Sequence, residues 1–381
     1  MLSIFKTFFA LGWISFGGPA AHIGYFRNAF VEKRKWLSDD EYGQIVALSQ
    51  FLPGPGSSQV GFALGYKKGG LGGACMAFLG FTLPSILIML ALAVLSSQLT
   101  ENTLFQSVIH GLKLLAVVVV ADAAWGMYKN FCKQTLTVAI AIMTAVALLI
   151  VPSISTQIAI LTASGLLGIK YLASSEPQDD RTPFKPSLWP LVTFGVLLLA
   201  IPFVTHIAPS IALFSDFFQA GSLVFGGGHV VLPLLQNIVG DQISTDAFLT
   251  GYAAAQAVPG PMFTFATYIG YEMLPDSPVL GAMVATLAVF LPGFLLLLGV
   301  LKNWQKLARM PKVSGAISGV NASVVGLLIA ALYQPVFTSA VFSGLDISLV
   351  LVGFFLLKQL KLPIVWMVIF FALSGIATGL L

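Results

Sequence analysis

Ser49-Gln50-Phe51-Leu52-Pro53-Gly54-Pro55-Gly56-Ser57-Ser58-Gln59-Val60 interrupts an apolar stretch with a Pro-Gly-Pro step. Proline removes a backbone donor and glycine disfavours helix, so a helix must stop before this step and restart after it. Within lipid, broken backbone is tolerated only where protein buries it or where it lines a polar cavity. The same step returns at Ala255-Gln256-Ala257-Val258-Pro259-Gly260-Pro261. One helix break in each half of a membrane chain points to the substrate site of a transporter.

The composition supports a membrane setting. Of 381 residues, 57% are hydrophobic and 9% charged, and the mean hydropathy is +0.93. Soluble domains carry about 25% charged residues. The chain is therefore read as an all-α polytopic membrane protein, with the lipid bilayer as its surroundings. The net charge of +4 is no nucleic-acid footprint, because the basic residues sit in short loops between apolar runs. Two cysteines, Cys75 in an apolar run and Cys132 at a loop edge, predict neither a disulfide nor a metal cluster. The first apolar run lacks a cleavage pattern and is expected to be retained.

Outward from the first break, residues 3–26 are apolar but interrupted by Ser15-Phe16-Gly17-Gly18-Pro19, and Arg27 to Tyr42 is polar. Ser38-Asp39-Asp40-Glu41 reads as a capping box that opens a helix. Residues 70–97, 102–128, 134–151 and 154–173 are each apolar over about the 20 residues a span needs. A polar linker, 174–187, precedes a further span, 188–207. Then the pattern begins again: Gly221 to Gly227 echoes Gly12 to Gly18, Gln256 to Pro261 echoes Gln50 to Pro55, Phe290-Leu291-Pro292-Gly293 echoes Thr82-Leu83-Pro84-Ser85, and Ile317-Ser318-Gly319 echoes Ile109-His110-Gly111. The pairs lie 206 to 209 residues apart in unchanged order, which a duplication explains. This gives an N-terminal repeat (1–173), a cytoplasmic linker (174–187), an unpaired connecting transmembrane helix (188–207) and a C-terminal repeat (208–381).

Lysine and arginine collect in cytoplasmic loops. They cluster at Lys6, 27–35, Lys67-Lys68, Lys129, Lys133, 170–185, 302–312, Lys358 and Lys361, and are absent from 97–101, 151–154, 206–210, 236–246, 272–278 and 335–347. Placing the first set inside accounts for every cation except Lys113. Both ends of 39–67 then lie inside and both ends of 246–272 outside, so the two broken-helix hairpins are re-entrant from opposite faces. The expected fold is two inverted-topology repeats joined by the extra transmembrane helix, with the N-terminus cytoplasmic and the C-terminus periplasmic or extracellular. Residues 3–26 could also cross fully; re-entry keeps Arg27 to Lys35 on the cytoplasmic side.

A restarting helix presents free backbone N–H groups and the positive end of its dipole, a ready anion site. Gly54, Gly56, Ser57, Ser58 and Gln59 stand at one such start and Gly260 with Met262 to Thr264 at the other. Ser15, Gly17, Gly18, Gly226 and Gly227 let backbone approach a ligand. Glycine and proline also serve close helix packing, but a repeated, inverted set favours the cage. Gln50 and Gln256 precede the breaks, where they either hold the hairpins together or touch substrate. Lys113 lies roughly 16 Å into its span at 1.5 Å per residue, and a cation at that depth is a functional candidate; its bland alternative is snorkelling. Asn321 is its neutral repeat equivalent. Asp122 lies on the opposite face of the same helix and either carries a coupling proton or sits near the inner surface. His22 and His229 follow the glycine breaks and are candidate proton carriers; they are not repeat mates, since His22 aligns with Val231. No His-Glu-x-x-His, Gly-x-Ser-x-Gly or Cys-x-x-Cys appears, so neither an enzyme nor a cofactor is expected.

Phe16-Gly17-Gly18-Pro19-Ala20-Ala21-His22-Ile23, the run Phe30 to Ser38, Gln50 to Pro55, Gly80 to Ser85, Phe225 to Val230 and Ala257 to Pro261 together resemble the chromate ion transporter family in its long, two-domain form. The resemblance implies chromate efflux from the cytoplasm across a prokaryotic inner membrane, giving chromate resistance. Chromate is a tetrahedral dianion, which suits the anion cage. A transporter or channel for sulfate or another small oxyanion on the same fold is the alternative, and a membrane enzyme the more distant one. A homodimer is the expected assembly.

Overall fold

The computed structural model describes residues 1–16, 18–99, 102–173, 186–225, 231–239, 242–301 and 310–379. The described residues form helices α1 (Leu2–Ile14), α2 (Gly18–Phe26), α3 (Asp39–Phe51), α4 (Gly56–Leu99), α5 (Thr103–Phe131), α6 (Thr135–Ile150), α7 (Ile154–Tyr171), α8 (Leu188–Ala200), α9 (Pro209–Leu223), α10 (Val231–Val239), α11 (Thr245–Ala257), α12 (Phe265–Met273), α13 (Pro278–Val300), α14 (Pro311–Ala331), α15 (Gly344–Lys358) and α16 (Ile364–Gly379). Among the described residues, five helical stretches are long and apolar enough to cross a membrane: Gly56–Ser96, Thr103–Phe131, Leu188–Ile207, Pro278–Val300 and Pro311–Phe337.

The breaks fall where the sequence demands them. Leu52 turns to extended backbone at the end of α3, and Val258 does the same at the end of α11. Ser38 caps α3 in a full capping box, its hydroxyl accepting from the Glu41 N–H while Glu41 accepts from the Ser38 N–H. Ser244 caps α11 by accepting from the Ala247 N–H. The polar segment after α2 is a π-helical turn, Arg27–Lys33, tied by Arg27 to Glu32 and Asp39 at 2.5 and 2.8 Å.

The helix α4 is two arms, because Gly69 and Gly70 are not helical and Gly70 has φ +60°. The 56–68 arm folds back on the 71–99 arm, with Gly65 and Gly73 in backbone contact. Lys67 Nζ then reaches Glu41 Oε1 at 2.5 Å, so the outer ends of α3 and of the 56–68 arm meet, and that contact holds the Glu41 carboxyl below its usual range. The second half repeats the arrangement: Gly251 lies against the Tyr268 ring, and Gly270 against Gly281.

Two helix sets result. The hairpins α1–α4 and α9–α13 pack together, with α8 outside them on α13. The span containing α8 is nearly unburied, at 6% of its most apolar window, and its Trp189, Val192, Leu199 and Phe203 are exposed, as a lipid-facing helix requires. The other set is α5–α7 with α14–α16. Its crossings are built on small residues that let backbones touch: Gly111 lies against Phe371 and Gly375, and Gly319 against Ser164 and Gly168. A Cβ at Gly319 would overlap the Ser164 carbonyl. Gly319→Leu is therefore expected to cost at least about 2 kcal/mol from overpacking, read as a lowered Tm in detergent. Gly43→Ala, at a position with open space around it, is the control and should leave Tm unchanged.

Candidate functional site

The two Pro-Gly-Pro breaks cross at the centre of the hairpin set. The Gly54 N–H donates to the Val224 carbonyl at 2.7 Å, and the Gly260 N–H donates to the Ser15 carbonyl at 2.9 Å. Val224 and Ser15 hold the same repeat position, so each half lends its break the carbonyl at the end of the other half's first helix. Gly54 and Gly260 have φ of +121° and +99°, the left-handed region that suits glycine. Gly54 lies on Gly293 and Gly260 on Ser85, again repeat equivalents.

The side chains with unpartnered polar atoms around this crossing come from the first half. His22 is fully buried. Its Nε2 lies 3.1 Å from the Ser15 carbonyl, which can only accept, so Nε2 carries the hydrogen. Nδ1 then accepts from the Ser57 hydroxyl at 3.1 Å. Gln59 Nε2 donates to the Pro53 and Gly293 carbonyls at 2.9 and 3.0 Å, which stitches the first break to the second half. Five buried polar atoms nearby have no protein partner: Ser15 Oγ, Ser58 Oγ, Gln59 Oε1, Thr82 Oγ1 and Ser85 Oγ. Buried polar atoms are normally paired, so this cluster is suited to a polar ligand. The second half places Val224, Thr264, Phe265, Phe290 and Gly293 at the equivalent positions. The crossing is pseudo-symmetric in backbone and one-sided in chemistry.

Lys113 lies elsewhere. It is buried, 7% exposed, and its ammonium pairs with the carboxylate of Asp246 in the first turn of α11. Asp246 and the break occupy opposite ends of α11, eleven residues or roughly 16 Å apart at 1.5 Å per residue. One turn from Lys113, His110 Nε2 meets Asp346 Oδ1 at 2.8 Å. Asp122, at the other end of α5, pairs with Lys358.

The chromate transporter family profile matches residues 2–169 and 211–376. The chain belongs to the chromate transporter family. It is a multi-pass membrane transporter and not an enzyme, as the sequence motifs led us to expect. A probable chromate transport protein of Synechococcus elongatus is 30% identical over 86% of this chain and 82% of that protein. A chromate transport protein of Cupriavidus metallidurans is 28% identical over 85% of this chain and 80% of its own length. An uncharacterised transporter of Bacillus subtilis is 25% identical over 39% of this chain but 85% of its own length, so that relative corresponds to less than one half of this chain. No solved structure matches.

For this chromate transporter family member, the structure gathers Ser15, Gly54, Gly56, Ser57, Ser58 and Gly260 near one crossing, and Gly18, at the start of α2, has φ +74°. Gly17, Gly226, Gly227 and His229 lie outside the described residues. Gln50 is exposed and so does not need the buried partners its place in the sequence suggested. Gln256 donates to Met262 Sδ at 3.6 Å across its own break, a hairpin-holding contact. Asn321 is buried with Oδ1 unpaired. Neither Lys113 nor Asp122 is brought to the crossing. Gln59 was read from the sequence only as one of the residues at the helix restart, and Thr82 and Ser85 were not singled out as ligands. Their signal was available in the repeat: each is polar where its partner (Phe265, Phe290, Gly293) is apolar or lacks a side chain.

Proposed function

We propose that this chain is a secondary transporter that exports chromate by alternating access of two inverted repeats, with the dianion bound at the crossed breaks. The observation that carries the reading is the cluster of buried, unpartnered hydroxyls at a crossing of two helix starts. Hydroxyl hydrogens and the positive dipole ends complement a tetrahedral oxyanion. Chromate enters the proposal from the names of the relatives. The Glu41–Lys67 contact brings both ends of the first hairpin together beside the basic loop, which supports re-entry from the cytoplasmic side. The lysine-free ends of the α11–α12 hairpin support re-entry from the opposite face, with the N-terminus inside. The reciprocal bonds Gly54 to Val224 and Gly260 to Ser15 support one element shared by both faces, against which the α5–α7 and α14–α16 set moves.

Outward movement of a dianion through an inside-negative potential is favourable by about 2.3 kcal/mol per charge per 100 mV. The expected result in proteoliposomes is chromate flux that follows an imposed potential without a pH gradient and slows under excess sulfate. Flux that requires the pH gradient would bring His22 and Asp122 into the coupling. Sulfate moving with no chromate flux would keep the crossing and overturn the substrate.

A further inference from the structure

The ion pair between α5 and α11 is unequal in its surroundings. The Lys113 side chain is 9% exposed and the Asp246 side chain 74%. The carboxylate can swing into water at small cost, whereas the ammonium cannot follow it. Loss of that partner leaves a buried cation uncompensated, an expensive state that another anion would relieve. The pair borders a cavity of about 430 Å³ lined by Ser96, Gln106, His110, Ser244 and Thr250, room enough for a small ligand. Asp346 is not a rival for Lys113: it is held by His110 and by the N–H groups of Phe342 and Ser343.

We propose that this cavity is a second binding site for a small oxyanion, with Lys113 as its cation and Asp246 as the tethered carboxylate that vacates it. The site lies at the far end of α11 from the crossing, at the lysine-free ends of α5 and α11, and so serves as the outer way-station of the anion. It rests on the anion-transport reading above. Asp246 also fastens the second-half hairpin to α5. The helices α11 and α5 pack together, while the repeat-equivalent pair α3 and α14 forms no comparable contact. In that pair Asp40 and the neutral Asn321 hold the two positions. An anion that takes Lys113 therefore releases a latch that exists on one side only.

The test is equilibrium binding of labelled chromate to the purified full chain. Asp246→Asn and Asp246→Ser remove the tethered competitor at an exposed position, and Tm shows that each variant is folded. Each is expected to bind one more chromate per chain than the wild type, or to tighten a weak second site at least about tenfold, a change of 1.4 kcal/mol. Adding Lys113→Gln should remove that gain and leave the remaining binding intact. Adding Ser58→Ala and Ser85→Ala instead should weaken the crossing and leave the gain. A folded Asp246 variant with no gain, or a gain that survives Lys113→Gln, overturns the outer site. If the wild type binds no chromate but the Lys113-dependent gain appears, the crossing reading fails and the outer site stands.

Discussion

Gly54→Ala is expected to abolish the proposed chromate export, with initial flux falling at least about 100-fold, some 2.7 kcal/mol in barrier terms. The position has φ +121°, where an L-residue is strained by about 1–3 kcal/mol. Its added Cβ would lie 2.8 Å from Gly293 Cα, a backbone atom that cannot rotate away. The Gly54 N–H bond to Val224 and the Gln59 bond to the Gly293 carbonyl depend on that approach. Gly260→Ala is the informative comparison. Its obstacle is the Ser85 hydroxyl, a side chain that can be removed. Ser85→Gly in the Gly260→Ala background should restore part of the flux at saturating chromate, with φ strain still present and affinity lowered by the missing Ser85 hydroxyl, whereas no single side-chain change restores Gly54→Ala. Flux assays beside size-exclusion profiles check both. Wild-type flux in folded Gly54→Ala would remove the crossing from the transport path.

The contrast between these glycines reflects what could be read before the fold was seen. Both breaks were legible because Pro-Gly-Pro acts locally, through a missing donor and restricted φ. The capping box at Ser38 was legible for the same reason. The exchange of carbonyls between halves was not, since which chain end meets which break is a tertiary fact that repeat spacing alone does not state. Asp246 escaped notice because an acidic residue in the first turn of a helix already has a sufficient reason to be there. Lys113 stood out because a cation amid valines and leucines has no such local reason, but its depth did not reveal its partner. Asp122 pairs with Lys358, a local partner that its sequence neighbours did not announce.

The one-sided chemistry of the crossing carries the other large effect. If the first half supplies the donors, stripping its hydroxyls must hurt far more than stripping those of the second half. Ser58, Thr82 and Ser85 are each at most 3% exposed, and each carries an oxygen without a protein partner. Their removal therefore breaks no internal bond and should not destabilise the fold. A hydrogen bond to a charged partner is worth about 1.5–3 kcal/mol, so each alanine should weaken chromate binding by roughly tenfold or more. The triple variant Ser58→Ala, Thr82→Ala, Ser85→Ala should lose measurable saturation while keeping its Tm. Thr264→Ala is the second-half counterpart of Ser58→Ala. Thr264 already spends its hydroxyl on the Pro261 carbonyl at 2.8 Å, so its loss should alter stability before affinity. The KM of labelled chromate flux, with Tm measured on the same preparations, separates the cases. Unchanged affinity in the variants of both halves would mean that the crossing binds through backbone alone, and that the first-half hydroxyls answer to water rather than to the anion.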